Sequence, residues 1–197
     1  YKDFQNPIER VIFAQSDAGQ IIHQNVERAK VWGMEFEVRK RLDQLFSKMR
    51  NFHLGGNLTL AHSQVDIPRA ELVKLLAIDP HASETRPLQG QSNYVLNLNI
   101  GFESFKSGTT VGIYYNIFGT RLAEVATGGA PNVYEKPRDV VDLVFSQRLM
   151  AGFGMKFGVK DLLDVDRTKA QTYKGIDYIT SQYGTGRTFS LGINYEI

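Results

Sequence analysis

The sequence predicts an all-β fold: an antiparallel up-and-down transmembrane β-barrel segment of about eight strands, with short turns on one rim and long loops on the other. Three observations carry this expectation. Large apolar residues recur on alternate positions over long stretches, which is the period of a strand and not of a helix. Short and long connectors alternate along the chain, so in a meander the tight turns share one end and the loops the other. No apolar run exceeds four residues, Val11–Ala14 and Leu75–Ile78 being the longest. That excludes a membrane helix but not a membrane strand, whose apolar signal sits on every second residue.

The elements follow in order. A first strand is expected near Pro7–Phe13, closed by a short hairpin around Ser16–Gly19. From Lys30 to Leu42, Trp32, Met34, Phe36, Val38 and Leu42 share one parity, while Gly33, Glu35, Glu37, Arg39 and Arg41 share the other. Phe52, Leu54, Leu58 and Leu60 then alternate with His53, Asn57 and Thr59. Further strands follow at Tyr94–Phe102, Val111–Ile117, Val141–Phe145, Phe153–Val159 and Phe189–Ile197. Asp43–Asn51, Ser104–Gly108 and Met150–Gly152 read as tight turns. Asp66–Ser92, Arg121–Pro137 and Asp164–Arg187, rich in Gly, Pro, Thr and Asp, read as long loops. The first loop holds Ala70, Val73, Leu76 and Ala77 at helical spacing, so a short helix is expected there.

Alternation alone does not say which face is inside, and a soluble lipocalin-type barrel reverses the polarity. Two features favour the membrane. Strands of some 11 to 14 residues exceed the roughly 9–11 needed to cross a bilayer. Rings also recur near strand ends, at Trp32, Tyr94, Phe102, Phe153 and Tyr195, as an interfacial girdle requires.

Composition narrows the function classes. Of 197 residues, 42% are hydrophobic and 22% charged, which excludes a disordered chain. The balance of 23 basic to 21 acidic residues is too even for a nucleic-acid partner. Absence of cysteine excludes a disulfide scaffold and a thiol nucleophile. His23, His53, His62 and His81 lack ligand spacing. Asp161, Asp164 and Asp166 resemble the start of a calcium loop, but Lys169 stands where the tight-turn glycine belongs. No phosphate loop and no nucleophile elbow occurs. Neither an enzyme nor a resident cofactor or metal is expected. The chain opens at Tyr1 within an already patterned segment, and it is expected to be part of a longer protein.

Several blocks carry a family resemblance. Ser190–Ile197 reads polar-x-Gly-x-x-apolar-x-apolar, with Gly192, Tyr195 and Ile197 at its fixed positions, and is similar to the terminal signal that outer-membrane barrels present to their assembly machinery. Asn25, Ala29, Gly33 and Glu35 match the N-x-x-x-A-x-x-x-G-x-E strand of TonB-dependent outer-membrane receptors. Arg86–Ser92 before an Asn-rich strand, Asp161–Asp164 closing the penultimate strand, and Gly186–Arg187 leading into the last one resemble further blocks of that family, in the right order. The resemblance implies a barrel of about 22 strands plugged by an N-terminal domain. Residues 1–197 would supply the C-terminal part, an open partial barrel, with the plug domain and earlier strands absent. It implies residence in the outer membrane of a Gram-negative bacterium. The implied partners are outer-membrane lipid, the protein's own plug, the TonB complex through the missing N-terminus, the barrel-assembly machinery and a small-molecule cargo, with iron–siderophore uptake as the expected role. A complete eight-stranded barrel and a soluble ligand-binding barrel stay open as alternatives.

Candidate residues fall into two groups. Glu35, Glu37, Arg39 and Arg41 lie on one strand face, about 7 Å between alternate residues. They form either a ladder touching the plug or passing ligand, or a set of paired charges that keeps a wet lumen polar. Ligand contacts are expected at loop tips, from Arg86, Tyr134, Arg138, Tyr173, Tyr178 and Tyr183, because rings and guanidinium groups suit polar cargo. The glycines of the polar face (Gly33, Gly101, Gly112, Gly154, Gly158, Gly192) either admit a plug close to the wall or relieve strand coiling.

Overall fold

A computed structural model describes residues 1–13, 20–44, 46–127, 130–150 and 152–195. The chain begins with β1 (Lys2–Gln5), β2 (Ile8–Phe13), β3 (Gln20–Asn25), β4 (Arg28–Arg41) and β5 (Phe52–Asp66). A helix, α1 (Arg69–Ile78), precedes β6 (Thr85–Arg86), β7 (Tyr94–Ser104), β8 (Thr109–Phe118), β9 (Arg121–Thr127) and β10 (Val133–Glu135). The last strands are β11 (Val140–Arg148), β12 (Phe153–Lys160), β13 (Arg167–Tyr173), β14 (Ile176–Tyr183) and β15 (Thr188–Tyr195).

These strands make two sheets. The wall runs β1-β4-β5-β7-β8-β11-β12-β15, with β6 added to β5, and its neighbours are all antiparallel. Among the described residues no pairing joins β15 back to β1, so the wall is an open segment. The second, outer sheet runs β14-β13-β10-β9-β2-β3. Its strands prolong those of the wall on the loop side: β2 follows β1, β9 follows β8, β13 follows β12, and β3, β10 and β14 lead into β4, β11 and β15.

Register sorts the faces of the wall. Glu37 sits opposite Asn57, Asn57 opposite Asn97, and Asn97 opposite Asn116, so parity is kept from strand to strand. Side-chain amides close this row: Asn116 Nδ2 donates to Asn97 Oδ1 at 2.6 Å, and Asn97 Nδ2 to Asn57 Oδ1 at 2.7 Å. The opposite face carries Phe36 against Leu58, Leu58 against Leu96, and Leu96 against Ile117. Its large apolar groups do not converge on a dry interior. Phe36 is 52% exposed and Ile193 72%, and the buried apolar residues of the wall, Ala29, Val65 and Val159, stand at the loop-side ends of their strands. Rings mark both borders of that face, Trp32 on His62 (5.2 Å between centroids) at the loop rim, and Phe52 on Phe102 (5.0 Å) at the turn rim. His53 pairs with Arg41, which sets Phe52 level with Leu42, ten residues along the strand from Trp32. At about 3.4 Å per residue and a tilt of about 40°, this spans about 26 Å along the membrane normal, the height of a bilayer's apolar band.

The expected helix is present, as α1, and the three tight turns lie where the sequence puts them. Four expectations need correction. The Pro7–Phe13 strand belongs to the outer sheet and the wall begins with β1; Asn6 takes φ 51° and Pro7 lacks an N–H, so the chain turns out of the wall between them. The segments Arg121–Pro137 and Asp164–Arg187 are not loops but hairpins, β9–β10 and β13–β14. Lys174 and Gly175, at φ 50° and 77°, make the two-residue turn whose twist suits paired strands. Wall strands are also more unequal than expected, from 15 residues in β5 through 8 in β12 and β15 to 4 in β1. The hairpin at Ser16–Gly19 lies outside the described residues.

Candidate functional site

One buried cluster, Val26, Ala29 and Val65 with Leu88 against it, joins the loop-side ends of β4 and β5, and the outer sheet has a dry core of its own. Val11, Leu122 and Val125 are fully buried, with Ile22 and Tyr134 packed against them. A parallel seam, Val11–Phe13 on Val125–Thr127, joins β2 to β9. Since β1 and β8 stand four strands apart in the wall, β2 must cross the end of the open segment to make this seam. The block 86–92 ties several elements together through its polar groups. Arg86, buried, pairs with Glu9 of β2 at 2.6 Å and Glu71 of α1 at 2.7 Å. Burial alone would lower the guanidinium pKa, but the two carboxylates outweigh it and the net shift is upward. The Leu88 N–H donates to Ser63 Oγ at 2.9 Å, and Gln89 Nε2 donates to the carbonyls of Arg10 (3.2 Å) and Ala123 (2.8 Å).

A second knot closes the other end. Arg138 pairs with Asp161 and donates to the carbonyl of Val165 (2.8 Å) and to Thr185 Oγ1 (3.2 Å). Asp161 and Asp164 both adopt positive φ, so the segment after β12 doubles back. Arg187 holds that segment by donating to the Leu162 carbonyl at 2.7 Å, with Asp164 at 3.6 Å. Two blocks that are 25 residues apart in sequence thus hold each other.

Arg86 and Arg138 are therefore not at loop tips, as the sequence suggests, but buried behind their carboxylates. Tyr134 is half-buried against the outer core. It lines a hollow of about 390 Å³ where wall and outer sheet meet, together with His62, Ser63, Arg86 and Gln91. Tyr173, Tyr178 and Tyr183 are exposed on the β13–β14 hairpin. Tyr173 and Tyr178 lie near the tip of that hairpin and Tyr183 at its base, opposite Arg167, while Tyr134 pairs with Ala170 from the adjoining β10. Around them the charges are mutually satisfied: Arg121 and Arg167 flank Glu135 (2.7 and 3.6 Å), and Lys169 meets Glu124 (2.7 Å). Lys136 lies 2.5 Å from Asp177 and, with Thr172, holds its carboxyl below the usual carboxylate range.

The second candidate surface is the polar face of the wall. Glu37 meets Arg39 at 2.6 Å and Arg41 meets Asp43 at 2.7 Å, so the cations pair along their own strand. Glu35 faces the same side with no charged partner among the described residues. A hollow of about 450 Å³ lies over Glu37, Arg39, Arg41, His53, Asn57 and Tyr114. Gly101 makes part of that room: a Cβ there would come within 2.1 Å of the His53 ring, which lies flat across its partner glycine. His53 and the Asn57–Asn97–Asn116 row were not among the residues singled out as functional, although their parity was plain in the sequence. Gly192 and Tyr195 stand on the exposed last strand, β15, while Ile197 lies outside the described residues. Among the described residues no group of acidic and histidine side chains could hold a metal ion. The arrangement offers recognition through phenols, amides and paired charges, without a nucleophile and base set for chemistry.

Among solved structures, the chain is similar to the ferric-catecholate import receptor Fiu from E. coli K12, with a TM-score of 0.59 and 18% identity over 98% of this chain and 24% of that one. It is similar to the copper transporter OprC, with a TM-score of 0.63 and 15% identity over 98% of this chain and 27% of the other. A mutant of the ferric enterobactin receptor PfeA from Pseudomonas aeruginosa matches with a TM-score of 0.55 and 20% identity, over 97% and 27%. The chain spans about a quarter of the length of these proteins. No family model matches it, and no curated protein matches it in sequence. The likeness is one of fold: as the sequence resemblance implied, the chain folds like a segment of the barrels of these proteins.

Proposed function

We infer that residues 1–197 are the C-terminal part of the barrel of a TonB-dependent receptor in a Gram-negative outer membrane, and that the whole protein takes up a scarce nutrient, an iron–siderophore complex. The observation that carries this reading is the open, face-sorted wall, which matches a quarter of each import protein from one end of this chain to the other. A complete eight-stranded barrel would need β15 to return to β1, and a soluble barrel would need the Phe36 and Ile193 face inside. The pairing and exposure of the described residues support the receptor reading over both.

Roles follow from position. Tyr173, Tyr178 and Tyr183 meet cargo from outside, and Tyr134 borders its way inward. Arg86 and Arg138 hold the outer sheet in shape. Glu35, Glu37, Arg39 and Arg41 line the lumen against the plug, and the β15 strand with Gly192, Tyr195 and Ile197 is read by the assembly machinery. A strain deleted for the full-length gene should fail to grow on one or more ferric siderophores as sole iron source, and the full-length protein should be captured by TonB. Undiminished uptake of every such cargo by the deletion strain would refute the assignment.

A further inference from the structure

The turn rim of the wall carries an excess of unpaired cations. On the loop side Arg86, Arg121, Lys136, Arg138, Lys169 and Arg187 each face a carboxylate, while Arg10, Arg69, Lys74 and Lys174 are exposed without one among the described residues. On the turn side the segments 41–51, 103–109 and 148–152 carry five basic residues against two acidic ones, Asp43 and Glu103. Asp43 is taken by Arg41. Lys48, Arg50, Lys106 and Arg148 are exposed and have no acidic partner among the described residues.

Each turn also pairs its cation with a large exposed apolar side chain. Phe46 and Met49 flank Lys48, Phe105 precedes Lys106, and Leu149 and Met150 follow Arg148. Phe105 is 81% exposed and Met150 88%. These tips continue the apolar face directly, since the Phe52–Phe102 and Phe153–Tyr195 ring pairs close that face at the same rim. Between the first two turns a hollow of about 420 Å³ has Arg41, Arg50 and His53 with Phe52 and Phe105 on its walls, and Glu103 as the acidic member. Cations beside apolar anchors at the border of a lipid face match the interface of an anionic bilayer, where the stem stays in the acyl region and the charge reaches the phosphate.

We propose that the turn rim is a docking surface for anionic glycerophospholipid headgroups of the leaflet it meets, with Lys48, Arg50, Lys106 and Arg148 as the headgroup contacts and Phe46, Phe105 and Met150 as the anchors. This rests on the receptor reading, which places the rim at a bilayer surface.

The test uses the full-length protein reconstituted in phosphatidylcholine bilayers, with spin-labelled phosphatidylglycerol or phosphatidylcholine as the probe of the motionally restricted boundary lipid. The wild type should select phosphatidylglycerol by at least about threefold, and the quadruple variant K48Q/R50Q/K106Q/R148Q should lose that selectivity. Lys-to-Arg and Arg-to-Lys exchange at the same four positions should retain it, as should K74Q on α1 at the opposite rim. Folding of each variant is read from the heat-modifiable gel shift of the barrel. Equal association of both lipids with the wild type would overturn the proposal and leave the rim to an acidic protein segment. Selectivity that survives in a folded quadruple glutamine variant would overturn it as well. Recovery of the full-length protein in water without detergent would instead defeat the receptor reading.

Discussion

The wall and the outer sheet are made of the same alternating strands, continued from one into the other, yet they solve opposite solvation problems. In the wall the large side chains of Trp32, Phe36, Leu98 and Ile193 point away from the polar face and stay uncovered by protein, as suits strands whose apolar solvent is lipid. In the outer sheet Val11, Leu122 and Val125 reach zero exposure, and charge enters the interior only in matched sets, Arg86 with Glu9 and Glu71, Arg138 with Asp161. The difference teaches that one chain can carry a sheet whose large apolar face stays uncovered and a sheet that buries its own, provided the junction is tied. Here the ties are the segment 86–92 and the paired turns around Asp161 and Arg187.

The largest expected effect follows from breaking the buried triad. Arg86→Ala leaves Glu9 and Glu71 charged and unpaired, a cost of about 3–5 kcal/mol. Hydrogen exchange should then rise across β2, β9 and α1 while the wall stays protected; loss of protection throughout would mean that the two sheets are one cooperative unit. Next comes Leu122→Ala, which opens a cavity in the outer core at about 3 kcal/mol and should again be confined to the outer sheet by the same measurement. On the wall the sensitive change is of another kind. Leu98→Arg puts a charge on the lipid face and should cost about 2–4 kcal/mol in urea refolding into lipid vesicles, whereas Asn99→Arg on the neighbouring polar position should cost far less.

The smallest effect concerns Asp177. Its carboxyl is held below the ordinary value through Lys136 and Thr172, so the folded pKa lies below the unfolded one of about 3.9. Its stabilisation is complete above that value and fades as pH falls through the lowered one. Acid titration of the β13–β14 hairpin by amide exchange should show a protection loss below the ordinary carboxylate range of about 3.9 in the wild type that is absent in Asp177→Asn. Identical acid profiles would show that the pair does not bear on the hairpin.

The wall was legible in the sequence because its strands from β4 onward, the two-residue β6 aside, keep one parity over eight residues or more, as Trp32 to Val38 illustrates within β4. The outer sheet was not. Its strands are short, and their register shifts between Val133 and Tyr134 and between Lys169 and Ala170, which breaks the alternation that would have marked them. One signal did exist, Lys174–Gly175 between the strand-forming Tyr173 and Ile176, a turn dipeptide that reads as a loop only while the segments beside it do. Ring positions on β13 and β14 were readable as exposed aromatics. Burial of Arg86 was not, since its partner Glu9 lies 77 residues away and nothing local distinguishes a buried guanidinium from one at a loop tip.

Central to the account is the orientation of the wall, and β4 tests it most directly. This chain has no cysteine, so single cysteines at positions 34 to 39 of the full-length protein can each carry a nitroxide label in a reconstituted bilayer. Labels replacing Met34, Phe36 and Val38 should be relaxed by oxygen dissolved in lipid, and those replacing Glu35, Glu37 and Arg39 by a water-soluble nickel chelate. An inverted phase, or accessibility that does not alternate, would contradict the orientation and with it the transport reading.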